Sequence, residues 1–288
     1  MVNAEKEVQI LLAALQENNS VVFFEKNFYN VLKNNNSIVK KYPTFQHFDD
    51  LNNSFDILFT IGGDGTFLRA ITYVRDLNIP ILGINTGRLG FLATVQKNAI
   101  KEAVLLLLEN KFTLQERALL TVKTSPKNKE IFEVPFALNE LTISRKNTTS
   151  MIGVKTYLNN EYLNNYWADG LIIATPTGST GYSLSCNGPV ILPNAKSLVL
   201  TPIAPHNLNA RPMVISDNTS IQLEIASREK DFLISIDSRI TSVPKNTKIF
   251  VEKAPFTIKS IVFKNQSFLE TLRSKLLWGE DTRNKTNF

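Results

Sequence analysis

Phe55-Asp56-Ile57-Leu58-Phe59-Thr60-Ile61 runs into Gly62-Gly63-Asp64-Gly65-Thr66 and on into Phe67-Leu68-Arg69-Ala70-Ile71-Thr72-Tyr73-Val74-Arg75. The apolar run reads as a strand, the glycines as a tight turn and the amphipathic remainder as a helix. Residues without a Cβ let the backbone approach a ligand closely, and the N–H groups that open the helix favour an anion. This is the chemistry of a phosphate cradle. Asp64 is the unexpected member, because a carboxylate beside a phosphate is repelled unless it binds a metal ion or accepts a proton from an attacking hydroxyl. Phosphoryl transfer is one reading of Asp64; capping of the helix is the other.

Outward from this turn, residues 79–84 form a second buried run that ends in Asn85-Thr86-Gly87-Arg88-Leu89-Gly90-Phe91, a glycine loop of the same kind, and the leucine-rich 100–108 stretch reads as its helix. Two strand–loop–helix units in succession imply parallel strands with ligands at their C-terminal ends. Upstream, residues 4–17 have helical spacing, 21–24 read as a strand and 28–33 as a short helix. From about residue 112 the pattern changes to short β-like runs, such as 119–123, 136–144, 154–158, 221–226, 232–237 and 248–252, with Asn159-Asn160-Glu161 as a hairpin connection. Residues 267–277 return to helical spacing.

The 288 residues suggest about two domains, and 43% hydrophobic with 20% charged residues describes a soluble globular protein. One cysteine, Cys186, permits no intramolecular disulfide, and with two histidines it is too little for an ordinary zinc site. No side chain is therefore assigned to a metal. The net charge of +6 is spread along the chain, so a polyphosphorylated substrate is expected and nucleic acid is not. Residues 1–20 lack a signal pattern and no run of about 18 apolar residues occurs, so a cytoplasmic protein without a membrane partner is expected.

A second stretch, Asp169-Gly170-Leu171-Ile172-Ile173-Ala174-Thr175-Pro176-Thr177-Gly178-Ser179-Thr180-Gly181-Tyr182-Ser183-Leu184-Ser185, joins a buried run to a dense cluster of hydroxyls and glycines. Such groups suit sugar and phosphate oxygens, and equally a polar turn. Asn139-Glu140 after Phe136-Ala137-Leu138 is either a ligand pair or the polar register of a strand. Taken with Gly62 to Thr66, the 85–91 loop, Gly188-Pro189, Pro205-His206-Asn207-Leu208-Asn209-Ala210-Arg211-Pro212 and Leu276-Leu277-Trp278-Gly279, these motifs resemble the bacterial NAD kinases, which make NADP from NAD. The similarity runs from residue 56 to about 280. The glycine–Asp loop is shared with diacylglycerol, sphingosine and phosphofructo-kinases, whereas the 169–185 stretch is far more specific.

The resemblance implies an α/β plus all-β fold: a Rossmann-like nucleotide-binding domain over 1–112, rejoined by 264–288 with a C-terminal helix, and a β-rich dinucleotide-binding domain over 113–263, with the active site between them. It implies transfer of the γ-phosphate of ATP to the 2′-hydroxyl of the adenosine ribose of NAD, with Asp64 as general base and Mg²⁺ or another divalent cation accompanying ATP. Gly65 and Arg69 would meet phosphate, although Arg69 equally suits a solvated helix face. Asn139 and Glu140 would hold the adenosine end, and Asp169 the nicotinamide side. Thr177, Thr180, Gly181, Tyr182, Ser183, Leu184 and Ser185 would line the pocket, and Ala204 would present backbone to the adenine. Arg239 is the last contact carried over, at a position where many relatives have Gln. Polyphosphate as donor, and a homo-dimer or homo-tetramer, are implied on the same basis. The family opens with a strand before its first helix, whereas here a helix begins almost at once, so that strand is expected to be missing. A lipid or sugar kinase of the same superfamily is the alternative enzyme, and a non-catalytic dinucleotide-sensing module the alternative of another class.

Overall fold

The apolar run before the glycine turn forms the strand Leu58–Ile61, which pairs in parallel with Ile81–Asn85, from Leu58 opposite Ile81 to Ile61 opposite Ile84. A parallel pair needs a crossover. Helix Asp64–Val74 supplies it, burying Phe67, Ala70, Ile71 and Val74 at the i, i+3, i+4, i+7 spacing of one helical face. The computed structural model describes residues 4–147, 150–207, 209–264 and 266–277. These divide into two units, one drawn from 1–115 with 259–288 and the other from 116–258.

In the first unit the end of strand Lys248–Phe263 places Ser260 opposite Ile81, so Ile81–Asn85 lies between it and Leu58–Ile61. Helices Glu5–Gln16 and Ile100–Leu108 cover this sheet, with Leu11, Leu82, Ile84, Val104, Leu107 and Ile261 in one core. The tail helix Phe268–Leu276 sets Phe268 against Phe91, ring centroids 5.8 Å apart.

Two expectations change here. The 21–24 strand shrinks to Phe24–Glu25, which pairs with Thr44–Phe45. Leu58–Ile61 is the last strand of its sheet among the described residues, and a cavity of about 1600 Å³ borders both it and residues 21–24. Without a partner ladder the apolar run does not close into a strand, and Val21 stays 82% exposed. The second glycine loop is not a strand-to-helix turn. It leads to a two-residue strand, Val95–Gln96, parallel to Ile81–Asn85, and helix Ile100–Leu108 starts only after a 3₁₀ turn at Lys97–Ala99.

The second unit is built from antiparallel strands. One sheet has the order Met213–Ser216, Ser197–Ile203, Gly170–Ala174, Glu140–Arg145, Asp231–Ile236, Arg239–Pro244. A second sheet pairs Glu161–Ala168 with Ile152–Leu158 and that strand with Ile221–Ala226. Alternation sets one face of each strand into a shared core, as at Phe232, Ile234 and Ile236, which lie with Leu141, Ile143, Val154 and Leu223. Gly170–Ala174 is buried at every position, which is why it reads as a continuous apolar run. Its other face, Ile172 and Ala174 with Val199, is covered by Cys186 and Ile191, so the hydroxyl-rich segment lies upon the sheet. Asn159 and Asn160, with φ of 51° and 69°, form the two-residue hairpin turn whose positive φ asparagine tolerates.

Candidate active site

In the first unit the site begins with Gly62, whose φ of +152° and whose Cβ position, 2.3 Å from Thr66 Oγ1, admit no side chain. Gly63 caps the helix and Asp64 is its first residue. The Asp64 carboxylate accepts three backbone N–H groups from the second glycine loop: Phe91 at 2.9 Å, Leu92 at 3.0 Å and Ala93 at 3.0 Å. The two glycine loops thus meet at one side chain. Nothing stands within 4 Å of where a Cβ would lie on Gly63 or Gly65, so the helix start is open to a ligand. Arg69 is exposed one turn further along.

In the second unit the organising group is Asp237, which sequence reasoning missed as a site residue. Its carboxylate accepts the N–H groups of Leu138 at 3.1 Å, Asn139 at 2.8 Å and Glu140 at 3.2 Å, and its own N–H donates to Glu140 O at 2.9 Å. From the other side Thr175 donates its hydroxyl to Leu138 O at 2.5 Å and its N–H to Asn139 O at 2.9 Å. Residues 138–140 are clamped between two strands. The clamp leaves Glu140 Oε2 buried without a hydrogen-bond partner. Burial above all, then the neighbouring Asp237 charge, pushes the Glu140 carboxyl up to about 7, although the Tyr182 N–H works the other way. Asp237 is itself raised by burial, against its three N–H donors and the charge of Arg239. The Arg239 guanidinium donates to Phe136 O, and so braces the same turn.

The 3₁₀ turn Thr177–Thr180 and the short helix Tyr182–Ser185 carry the remaining candidates. Their hydroxyls are largely used within the protein: Thr177 Oγ1 accepts from buried Arg117 at 3.3 Å, Thr180 donates to Thr177 O at 3.2 Å, and Ser183 bonds Thr201 at 2.8 Å. Gly181, Tyr182, Leu184 and Ser185 retain exposed or half-exposed surface. A Cβ on Gly181 would stand 2.9 Å from Glu140 Oε2, so this turn flanks the orphaned oxygen. A Cβ on Gly178 would stand 2.1 Å from Asn139 O. Gly178→Ala is therefore expected to cost about 1–3 kcal/mol, read as a lower Tm, because backbone meets backbone and neither can turn aside.

Asp169 pairs with Arg145 at 2.9 Å, with both side chains part-exposed, and its N–H donates to Ile203 O beside Ala204. Ala204 is exposed with a φ of 43°. Asp237, Arg145 and Arg117, which motif reading did not single out as site residues, each bond a residue that it did: Asn139, Asp169 and Thr177. Of the quoted motif residues, Leu208, Trp278 and Gly279 lie outside the described residues.

The family model described as ATP-NAD kinase N-terminal domain matches residues 2–112, and that described as ATP-NAD kinase C-terminal domain matches residues 138–263. The chain belongs to the NAD kinase family. It is 56% identical to an NAD kinase of Christiangramia forsetii over 98% of this chain and 96% of that protein. It is 57% identical to the NAD kinase of Flavobacterium psychrophilum over 95% of this chain and 93% of that one. Among solved structures, yeast NADH kinase complexed with NADH superposes with a TM-score of 0.88 over 99% of this chain and 87% of that one; at 22% identity this speaks to fold. An NAD kinase from Archaeoglobus fulgidus in complex with ATP gives a TM-score of 0.66 at 28% identity, over 88% and 94%. An α/β first unit that includes the tail helix, and a β-rich second unit, are thus the fold of NAD kinases.

Proposed function

We propose that this NAD kinase family member phosphorylates the 2′-hydroxyl of the adenosine ribose of NAD from ATP, giving NADP, with Asp64 receiving the hydroxyl proton. The observation that carries the dinucleotide reading is Glu140. A buried carboxyl oxygen without a partner needs a donor, and two ribose hydroxyls supply what one carboxylate accepts. Asn139 beside it offers an amide to a purine edge. Asp169 keeps acceptor capacity beyond its pair with Arg145 for the nicotinamide side, and Ala204 presents backbone to the adenine. Of the 177–185 segment, Thr180, Gly181, Tyr182, Leu184 and Ser185 face the dinucleotide, while the buried Thr177 and Ser183 shape the turn from inside. Arg239 acts through the 136–140 turn that it braces.

Transfer passes through a loose transition state, so positioning and charge stabilisation dominate. Gly65 and the open start of helix 64–74 meet phosphate oxygens, with Arg69 as the nearby cation. Mg²⁺ or another divalent cation enters as part of the ATP substrate, neutralising its phosphates. Polyphosphate is the alternative donor of the same chemical class. A cytoplasmic homo-dimer or homo-tetramer completes the reading; among the described residues no helix is long and apolar enough to cross a membrane.

The deciding assay measures NADP formation from NAD, ATP and Mg²⁺, beside a reaction offering diacylglycerol as acceptor. NADP as product is expected. Phosphorylated lipid instead, or NAD binding without turnover, would overturn the reading.

A further inference from the structure

Asn85 ends the strand Ile81–Asn85 and is 3% exposed. Its side-chain amide donates to Arg88 O at 2.7 Å and Ala93 O at 3.4 Å, and its side-chain carbonyl accepts the Gly87 N–H at 2.7 Å. One buried side chain therefore folds residues 86–93 back on themselves. The far end is held by Gln266, which donates to Thr94 O at 3.3 Å and accepts the Thr94 hydroxyl at 2.9 Å.

This fold-back turns three consecutive N–H groups onto one carboxylate. Asp64 Oδ1 accepts both Leu92 and Ala93, whereas Oδ2 accepts Phe91 alone. A carboxylate offers roughly four lone-pair directions, two on each oxygen. Oδ1 is filled and Oδ2 keeps one. The loop comes this close because Gly90 has no side chain: a Cβ there would lie 2.0 Å from Oδ1.

We propose that Asn85 is a positioning residue for phosphoryl transfer, setting the loop that fixes the Asp64 carboxylate and leaves one acceptor direction, on Oδ2, for the nucleophilic hydroxyl. The assignment rests on Asp64 acting on the substrate hydroxyl. The proton of that hydroxyl passes to Oδ2 while its oxygen forms the bond to the γ-phosphorus. The bond from that phosphorus to the β–γ bridging oxygen breaks, ADP leaves with the electron pair, and Asp64 returns its proton to solvent. Asn85 touches none of the reacting atoms; it acts through the loop.

The test is a double-mutant cycle on NADP formation with ATP and Mg²⁺. Asn85→Ala is expected to lower kcat about tenfold, as misplacement of a reacting group does, with KM for NAD and ATP within about twofold of wild type. Hydrogen exchange at the Phe91, Leu92 and Ala93 amides should accelerate in the same variant. In an Asp64→Ala background, Asn85→Ala should lower kcat no further, because the group it positions is gone. Gln266→Ala, which loosens the other end of the loop, should show the same pattern at about threefold and serves if Asn85→Ala fails to fold. Faster exchange with unchanged kcat, or an equal loss with and without Asp64, would overturn the proposal. Absence of NADP formation by the wild-type protein would instead reject the reading of Asp64 on which it rests.

Discussion

Asp64→Asn is expected to lower kcat for NADP formation by at least about 10²-fold, the usual contribution of a positioned general base. The affinity for NAD should stay close to that of the wild type, since the groups proposed to hold the dinucleotide are those of the second unit. The split between kcat and binding is the diagnostic: an interaction made only in the transition state moves kcat, and one made equally in the ground state moves KM. The structure adds a second consequence. An amide in place of the carboxylate must turn its NH₂ toward an N–H donor, either Phe91 or the pair Leu92 and Ala93. One donor is then left facing another, at a cost of about 1–3 kcal/mol for an unsatisfied buried group. Tm should fall together with kcat. Asp64→Ala removes the mismatch but leaves all three N–H groups without their acceptor, so it should lose turnover to a similar extent. Steady-state kinetics and calorimetric titration with NAD on both variants decide the matter. Wild-type turnover in either would remove Asp64 from the chemistry and leave it as a fastener between two loops.

That double duty was not visible in the sequence. The strand, turn and helix around Asp64 were legible because each follows from local rules: an apolar run, glycines, and a 3.6-residue period. The same holds for the buried 170–174 run and the Asn159-Asn160 hairpin. What local rules do not carry is where a side chain finds its partner. Asp237 reads only as the end of the β-like run 232–237, yet it gathers three N–H groups from about a hundred residues upstream. Ser183 and Thr177 read as ligand-facing hydroxyls because of their company, and tertiary contacts turn them inward to Thr201 and Arg117. The 21–24 segment has strand composition, but a strand exists only when a neighbouring ladder accepts its backbone groups. The family resemblance identified the candidate site; non-local hydrogen bonds show how its residues are held.

Glu140 provides the second large effect, and its sign with pH follows from its burial. Glu140→Ala is expected to weaken NAD binding by about 1–3 kcal/mol, or roughly 5- to 150-fold, as loss of hydrogen bonds to a charged group does. In the free protein its carboxyl is pushed to about 7 by burial and by Asp237. Near neutral pH a substantial share is therefore protonated. Ribose hydroxyls donate to the ionised form, so NAD should bind more tightly as pH rises from about 6 to 8, and binding near pH 7 should release a proton. Titration calorimetry in two buffers of different ionisation enthalpy measures that proton directly. Glu140→Gln should flatten the pH dependence and release none; a Gln variant that keeps the wild-type slope would sink this account. Stability of the ligand-free protein gives an independent check. Between the ordinary value of 4.5 and about 7 the folded state holds more protons at this site than the unfolded state, so stability falls as pH rises through that window. The penalty is fully developed above about 7, with a ceiling of about 3 kcal/mol from the size of the shift. Glu140→Gln should thus raise Tm at pH 8 and do little at pH 4.5, and NAD should narrow the gap by donating hydrogen bonds to Glu140 Oε2.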